Sequence, residues 1–339
     1  MNKQLLWIKY KIIKLLDILH IRIKVAIFLD RINTFVAKKK LPVNANKYLR
    51  VDNPRLIELQ NIYSKQALKH SQWENRMKPS YLQDFRNGQV FVAQGGVNEC
   101  NYLLTATYVE LIDKLNLMEK LKEDDLFGSN IYNIADINVS RDLLDSILEI
   151  NFLEDTLKIS NRTLNILDVG AGYGRLAHRL VEAMPNIKVY CTDAIPESTF
   201  ICEYYLGFRG VNDRAITIPF NEIETCLNNN NIDIAVNIHS FSECTLEFVE
   251  WWLDIIKKNK IKYLMIVPNS WENEPEFPTS EDNLINEHKP KKLSFLNAIE
   301  SRGYKLIAKQ PKYKNSKLMF KYGVFPNLTV VYYMFELQE

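Results

Sequence analysis

Asn165-Ile166-Leu167-Asp168-Val169-Gly170-Ala171-Gly172-Tyr173-Gly174-Arg175 is the stretch that decides the fold of this 339-residue chain. Its apolar half predicts a short buried strand, and its glycines mark a place where the backbone turns tightly and comes close to a ligand. A helix over Arg175–Met184 and a second strand over Val189–Thr192 are predicted next, and that strand ends at Asp193. An acid about twenty residues after the glycines is placed to accept hydrogen bonds from both ribose hydroxyls. The order of these elements predicts a nucleoside-binding crossover.

The spacing of the glycines distinguishes between nucleosides. In a dinucleotide fingerprint the third glycine is the sixth residue, but counting from Gly170 that position is Arg175. Asp168 stands at the carboxyl end of the first strand, where its charge repels a pyrophosphate and attracts a cation. The pattern therefore disfavours NAD and FAD. A glycine turn that only joins a strand to a helix is the alternative, and the presence of both Asp168 and Asp193 argues against it.

The acid-x-Gly-x-Gly-x-Gly pattern resembles motif I of the class I S-adenosylmethionine-dependent methyltransferases. Their ligand carries an ammonium and a sulfonium group and no phosphate. The resemblance implies S-adenosylmethionine as the cofactor, and Asp193 matches the ribose-binding acid of that family. The predicted cofactor contacts are Asp168, Gly170, Gly172, Tyr173, Gly174, Asp193, Ala194 and Asn237.

Helices and strands continue to alternate after Asp193, as in a doubly wound α/β domain. The predicted total of seven strands, the last two without a full crossover helix between them, resembles the Rossmann-like class I methyltransferase sheet with its antiparallel final hairpin. The resemblance covers about 161–339, which we predict to be the cofactor-binding domain. The further strands are predicted at Ala215–Phe220, Ile232–Ile238, Tyr263–Val267, Tyr304–Lys309 and Leu328–Phe335, and the helices at Pro196–Gly207, Glu243–Lys258 and Lys291–Arg302.

Residues 1–40 form a basic and apolar arm. They carry ten Lys or Arg residues against Asp17 and Asp30, although the net charge of the whole chain is only +2. The arm has too many charges for a membrane span and lacks the pattern of a signal peptide. Two alternatives remain for the arm. In the first it contacts an anionic membrane surface or a partner, and in the second it packs as a helix on its own domain. Packing is favoured because the charges of the arm do not gather on one helical face. The rest of the chain is acidic, which disfavours nucleic acid as a partner.

Residues 41–160 are predicted to form a helical cap over the acceptor, with helices near Asn53–His70, Asn98–Lys122 and Ser140–Lys158. A loop over Tyr81–Gly96 is placed to fold over the cofactor or acceptor. Aromatic and basic residues of this segment are candidates for acceptor contacts, with core packing as the alternative. They are Trp73, Tyr81, Phe85 and Arg86.

Chemistry is expected beyond the carboxyl ends of the strands, where open parallel sheets bind ligands. The turn after the fourth strand contains His239, a candidate base for removing the proton of an alcohol acceptor, with Glu243 to orient or charge it. Ser240 is a predicted substrate contact in the same turn. The alternatives are that His239 only hydrogen-bonds a neighbouring loop and that Glu243 only begins the next helix.

Two later loops are candidates for acceptor binding. The loop Pro268–Glu274 offers Asn269 and Trp271, which suit the hydroxyls and the apolar face of a sugar, and an ordinary surface loop is the alternative. Pro311–Asn327 carries four lysines and no acid, so a phosphate contact is conceivable, but a solvated loop is favoured. Trp251 and Trp252 are assigned to helix packing.

A narrower resemblance rests on the glycine tract, the turn 237–243, and Trp73 with Phe85 and Arg86. These look like a bacterial family of proposed sugar O-methyltransferases of surface-polysaccharide synthesis. The resemblance implies an O-methyltransferase that acts on a sugar, sugar nucleotide or glycan; a protein or lipid acceptor, or a non-catalytic nucleoside-binding scaffold, stays open. The five cysteines are widely spaced and form no paired motif, which predicts reduced thiols and no metal site. Reduced thiols predict a cytoplasmic location. A peripheral position at the inner face of the membrane is the alternative. The oligomeric state is not predicted.

Overall fold

The computed structural model describes residues 40–63, 77–87, 99–270, 275–280, 292–314, 316–324 and 330–338. The basic arm except Lys40, together with Trp73 and Trp271, lies outside the described residues, so what was predicted for them stays a prediction. Within the described part, the helices are α1 (Ala45–Tyr48), α2 (Pro54–Ile62), α3 (Glu99–Ile112), α4 (Leu117–Lys120), α5 (Arg141–Leu157), α6 (Arg175–Ala183), α7 (Pro196–Phe208), α8 (Ile223–Asn229), α9 (Leu246–Lys258), α10 (Leu296–Glu300) and α11 (Lys317–Tyr322). The strands are β1 (Tyr132–Ile134), β2 (Ile137–Val139), β3 (Leu164–Val169), β4 (Ile187–Thr192), β5 (Ala215–Thr217), β6 (Ile234–Ile238), β7 (Tyr263–Val267), β8 (Tyr304–Pro311) and β9 (Val331–Leu337).

Seven of these strands form one sheet in the order β5-β4-β3-β6-β7-β9-β8. All neighbours pair in parallel except β9, which runs antiparallel to both β7 and β8. The predicted Rossmann-like α/β fold with a final antiparallel hairpin is thus confirmed. Because β3 has β4 on one side and β6 on the other, the strand order reverses there, and such a switch point opens a crevice at the carboxyl ends.

The sheet is covered on both faces, which explains its nearly continuous apolar strands. Leu164 and Ile166 of β3 belong to one core, with α5, α6 and α7. Leu167 and Val169 point to the other core, with α8, α9 and α10. Residues of 41–160, such as Leu56 and Val109, are part of the first core. The segment predicted as a cap therefore shares its core with one face of the sheet.

The expectation that 41–160 contains only helices and loops is wrong at one place. β1 and β2 pair as an antiparallel hairpin joined by Ala135 and Asp136, whose φ angles are 49° and 66°. Two consecutive positive φ angles are typical of a type I′ turn, which usually carries Asn-Gly or Asp-Gly. Ala-Asp gives no such signal, so the hairpin was missed.

Several predicted helices are shorter in the structure. The first begins after Asn53, whose side chain accepts a hydrogen bond from the Arg55 N–H at 2.9 Å, and ends at Ile62. The predicted helix over 98–122 is broken into α3 and α4, with Asn116 left-handed at φ 55°. A 3₁₀ turn over Ser240–Glu243 precedes α9, so that helix starts at Leu246.

The favoured solvated-loop interpretation of Pro311–Asn327 is wrong for its described part. Lys312 is buried and forms an ion pair with Asp145 of α5. The helix α11 follows, capped by Ser316, whose hydroxyl accepts a hydrogen bond from the Met319 N–H at 3.3 Å. The missed signal is the serine that precedes Lys317, since serine is a preferred N-cap residue. None of the helices in the described part of the chain has the length and apolar character that a membrane span requires.

Candidate functional site

The glycine turn lies at the carboxyl end of β3 and requires its glycines. Gly170 and Gly174 have φ angles of 74° and 83°, which side chains rarely adopt. A Cβ atom on Gly170 would come within 2.1 Å of the Ser240 hydroxyl oxygen, and one on Gly174 within 3.0 Å of the Cys202 sulfur. A side chain at Gly170 would therefore collide with Ser240, and one at Gly174 would crowd Cys202.

A cleft of about 1000 Å³, including the solvent at its mouth, opens at the switch point between β3 and β6. Asn237, Gly174 and Asn269 do not belong to its lining. The predicted site residues that line it are Asp168, Gly170, Gly172, Tyr173, Asp193, Ala194, His239, Ser240 and Glu243.

Asp193 fixes the glycine turn from the end of β4. One carboxylate oxygen accepts a hydrogen bond from the Gly172 N–H at 3.0 Å, and the other accepts from the Ile195 N–H at 2.9 Å. Burial raises the pKa of Asp193 to about 6, although these backbone donors oppose the shift. Each oxygen has a second lone pair with which to accept a ligand hydroxyl.

Asp168 is the more strongly perturbed acid. Burial raises its pKa to about 7, against the charge of Arg175, which acts in the opposite direction. Among the described residues, no salt bridge involves Asp168 or Asp193. Two carboxyl groups with raised pKa values in one cleft gain most from a ligand that brings a positive charge.

Asn237 stands behind the turn and joins it to β3. Its amide donates hydrogen bonds to the Val169 carbonyl at 2.9 Å and to the Ser240 hydroxyl at 2.5 Å. Its carbonyl accepts from the Phe241 N–H at 3.0 Å. The side chain predicted to contact the cofactor is thus engaged within the protein, and it holds the turns after β3 and β6 together.

His239 occupies an unusual position in the turn after β6. Its φ angle is 67°, and its backbone N–H donates a hydrogen bond to the Val267 carbonyl at 2.8 Å. The Nδ1 atom of its ring is buried without a hydrogen-bond partner. Burial lowers the pKa of His239 to about 3, with further lowering by Arg141 and Lys312. Strained backbone and an unsatisfied polar atom at a cleft are typical of functional sites.

Glu243 was predicted to orient or charge His239, and the structure places the two residues in the same cleft. Glu243 lines the cleft beside His239. The carboxylate that opposes the lowering of the His239 pKa is that of Asp145. The imidazole is therefore neutral at physiological pH, and the predicted roles of both residues stay predictions.

A polar stripe on α5 was missed by the sequence analysis. Its residues recur at helical spacing and are buried against the site, where Tyr173 donates a hydrogen bond to Asp142 and Arg175 pairs with Glu149 at 2.9 Å. Polar residues at this spacing usually form the solvent face of an amphipathic helix. Here they are buried against partners that are distant in sequence, so the sequence alone does not reveal it. The stripe comprises Arg141, Asp142, Asp145, Ser146 and Glu149.

Phe85 and Arg86, predicted as candidates for acceptor contacts, follow the packing alternative. Both are about 1% exposed, and the Phe85 ring lies 5.2 Å from that of Tyr173. Arg86 belongs to a set of buried and partly buried charges that we call the ion cluster, in which it pairs with Glu123 and with Asp124. The ion cluster comprises Arg86, Glu123, Asp124, Arg179 and Arg209. Tyr81 is half-buried.

Aromatic side chains of α9 form the other end of the cleft. Phe248 and Trp252 line it. Trp251 stacks on Phe248 with ring centres 5.5 Å apart, so it packs as predicted. The assignment of Trp252 to packing alone was incomplete. Phe248 was missed, although its spacing of four residues from Trp252 places both on one helix face.

Comparisons with known proteins find solved structures of low similarity to the chain. No protein-family model and no curated protein matches the chain. The chain is similar to the solved structure of the mitomycin 7-O-methyltransferase MmcR, with 15% identity, 57% of each chain covered and a TM-score of 0.38. It is also similar to an S-adenosylmethionine-dependent methyltransferase from Clostridium acetobutylicum ATCC 824, with 12% identity, 57% of this chain and 91% of that chain covered and a TM-score of 0.40. The chain is also similar to the [4+2]-cyclase SpnF, with 12% identity, 69% of this chain and 95% of that chain covered and a TM-score of 0.43. At these values the activity has to be argued from the site.

Proposed function

We propose that this chain transfers a methyl group from S-adenosylmethionine to a hydroxyl group of a sugar, sugar nucleotide or glycan. The observation that carries the proposal is a pair of acids with raised pKa values, the buried Asp168 and the partly buried Asp193, beside a glycine turn at the switch point of the sheet. A phosphate-bearing dinucleotide would meet repulsion from Asp168, whereas a cationic nucleoside gains from it.

The residues of the cleft fit the parts of this cofactor. Asp168 suits the ammonium group, and Asp193 suits the ribose hydroxyls because both of its oxygens are held in place by backbone donors. Phe248 and Trp252 offer apolar surface for the adenine ring. When bound, the cofactor supplies a methyl group on a sulfonium sulfur, and the thioether that remains after transfer is a good leaving group.

The protein then has to align the acceptor oxygen in line with the methyl group and hold its proton. The new O–CH₃ bond forms as the S–CH₃ bond breaks, and the hydroxyl proton passes to a base. We assign this proton to the imidazole of His239, which lines the cleft and is neutral. The low pKa of His239 opposes this transfer in the free enzyme. During the reaction, however, the sulfonium loses its charge as the imidazole gains one, so the total charge of the cleft does not rise.

A sugar acceptor is favoured by the polar groups around His239. Ser240 and Glu243 line the same wall of the cleft and suit hydroxyl groups. The resemblance of the glycine tract and of the turn 237–243 to proposed sugar O-methyltransferases points the same way. The predicted setting is bacterial surface-polysaccharide synthesis in the cytoplasm, and Asn269 and Trp271 stay predicted acceptor contacts.

The proposal is tested by calorimetry and a transfer assay on the full chain. S-adenosylmethionine should bind saturably, and methyl-labelled cofactor should transfer its label to a member of a panel of sugar nucleotides and purified glycans. Gly170→Ala should abolish cofactor binding, because its Cβ atom would collide with Ser240. Gly207→Ala is the matched control, since a Cβ atom there meets nothing within 4 Å.

The outcomes separate the alternatives. Failure of the parent chain to bind the cofactor would refute the proposal as a whole. Binding without transfer to any acceptor would indicate a nucleoside-binding scaffold. Label found only in protein or lipid would keep the methyltransferase and reject the sugar.

A further inference from the structure

The helix α11 presents an apolar and basic surface that the proposed reaction does not use. Five of its six residues are exposed, and only Met319 is buried. Leu318, Phe320 and Tyr322 are 56%, 44% and 48% exposed. Three large apolar side chains exposed on fewer than two helical turns are more than the scattered exposure expected of a surface.

This exposure is not the result of a loosely attached helix. Asn101 of α3 donates a hydrogen bond to the Tyr322 carbonyl at 2.8 Å, at the end of α11. The Val324 N–H donates to the Thr105 hydroxyl at 2.9 Å, and the Tyr313 hydroxyl donates to the Val324 carbonyl at 2.5 Å. The base of α11 is thus fastened to α3, while its outer side faces solvent.

The charge of this surface has one sign. Pro311–Asn327 contains four lysines and no acid. Lys312 pairs with Asp145 and Lys314 lies 3.6 Å from Asp155, whereas no ion pair within the described part of the chain involves Lys317 or Lys321. Two lysines beside exposed leucine and phenylalanine combine the positive charge and the apolar surface through which proteins contact an anionic membrane interface.

The position of α11 relates this surface to the cleft. β8 runs parallel to β7, so its carboxyl end lies at the same edge of the sheet as the glycine turn. Lys312, directly after β8, is close enough to the cleft for its charge to act on His239. A surface contacted by α11 would therefore lie on the side of the molecule where the acceptor enters.

We propose that α11 docks the protein on an anionic lipid surface, with Lys317 and Lys321 towards the headgroups and with Leu318 and Phe320, on opposite sides of this lysine pair, contacting the interfacial layer. A free phosphate ligand would not account for the apolar side chains, whereas a lipid surface accounts for both kinds. This docking surface goes beyond the proposed methyl transfer and holds whatever the acceptor is.

The test is co-sedimentation of the full chain with vesicles of phosphatidylglycerol and phosphatidylcholine, compared with vesicles of phosphatidylcholine alone. The double variant Lys317→Gln/Lys321→Gln should bind the anionic vesicles about 30-fold more weakly than the parent, which corresponds to about 1 kcal/mol per lysine. Leu318→Ser/Phe320→Ser should lose at least about tenfold, because buried apolar area contributes to interfacial binding. Lys257→Gln/Lys262→Gln removes the same charge at the opposite edge of the sheet, where β7 begins, and should bind within about twofold of the parent.

Fluorescence then distinguishes α11 from the basic arm. Phe320→Trp should add an emission component that brominated lipid quenches on anionic vesicles. The proposal is overturned if the parent binds both vesicle types equally, if the α11 variants and the control weaken binding alike, or if the added emission is not quenched. Thermal unfolding and cofactor binding of each variant should match the parent, since none of these side chains touches the cleft. Weaker vesicle binding by a variant that has lost its fold or its cofactor binding would not be counted as loss of docking.

Discussion

The cleft and the ion cluster are both lined by buried charged groups, but their acids are perturbed in opposite directions. In the cleft, burial raises the pKa of Asp168 to about 7 and that of Asp193 to about 6. In the ion cluster, burial would also raise the pKa of Glu123 and Asp124, but arginines hold both at about 2. The acids of the ion cluster are neutralised within the protein, whereas those of the cleft are left for a ligand.

Each region also contains a buried histidine. Burial lowers the pKa of His178, beside the ion cluster, to about 2, and its Nδ1 lies 3.2 Å from the Tyr205 hydroxyl. His239 in the cleft is shifted in the same direction, yet its Nδ1 has no partner. A depressed histidine pKa thus identifies burial, and what distinguishes His239 is that it lines the cleft and leaves a buried ring nitrogen unsatisfied.

Replacement of the two histidines should separate catalysis from packing most strongly. His239→Asn should lower kcat by about 10²–10⁴-fold, because it removes the proton acceptor. Asparagine is chosen because it tolerates the left-handed backbone at this position. The affinity for S-adenosylmethionine, measured by calorimetry, should change by less than about twofold.

His178→Asn is the matched control. It should leave kcat unchanged and lower the melting temperature, since it disturbs contacts with Tyr205 and Glu182 that lie outside the cleft. If His239→Asn retained full turnover, or if His178→Asn lost as much turnover, the distinction between the two regions would fail.

Removing one charge of the ion cluster should act on stability. Glu123→Gln leaves Arg86 and Arg179 buried without their shared carboxylate, which is expected to cost about 3–5 kcal/mol of unfolding free energy. Urea unfolding followed by circular dichroism measures this loss. At a temperature where the variant is still folded, its cofactor affinity should equal that of the parent, and a selective loss of affinity would contradict the assignment.

The fold could be predicted from sequence because its signals are local. Gly170, Gly172 and Gly174 follow a buried strand directly, and Asp193 ends the next strand, so one segment contains the entire crossover. The ion cluster and the stripe on α5 could not be predicted, because Arg86, Glu123 and Arg179 are far apart in sequence. Charged residues give no signal of burial until their partners are known.

The site was predictable in part for the same reason. Residues in the turns directly after β3, β4 and β6 line the cleft, since parallel strands bring these turns to one edge. Asn237 lies at the end of β6, where alternate side chains point to opposite faces, and it is turned away from the cleft towards Val169. The effect of Lys312 on His239 requires the pairing of β8 with β9, which sequence alone does not reveal.

Asp193→Asn should weaken cofactor binding by about 10–100-fold, equivalent to about 1.5–3 kcal/mol for hydrogen bonds to a charged group. The substitution keeps the size of the side chain and one acceptor oxygen for the Gly172 or Ile195 N–H. Titration calorimetry with S-adenosylmethionine provides the measurement, and Asp213→Asn, at an exposed acid outside the cleft, is the control. Equal affinities of both variants would remove Asp193 from the ribose contact.

The smallest expected effect is a pH dependence of cofactor affinity that distinguishes the acids of the cleft from those of the ion cluster. Asp168 has a pKa of about 7 in the free protein, so it is mostly protonated at pH 6 and mostly ionised at pH 8. A cationic ligand favours the ionised form and lowers this pKa, so binding releases a proton and the affinity rises with pH through 7. The dissociation constant should be about tenfold larger at pH 6 than at pH 8, whereas Glu123 and Asp124, with pKa values of about 2, contribute nothing in this range. Asp168→Asn should bind more weakly at pH 8 and lose most of the pH dependence; an unchanged slope in that variant would place the titrating group elsewhere.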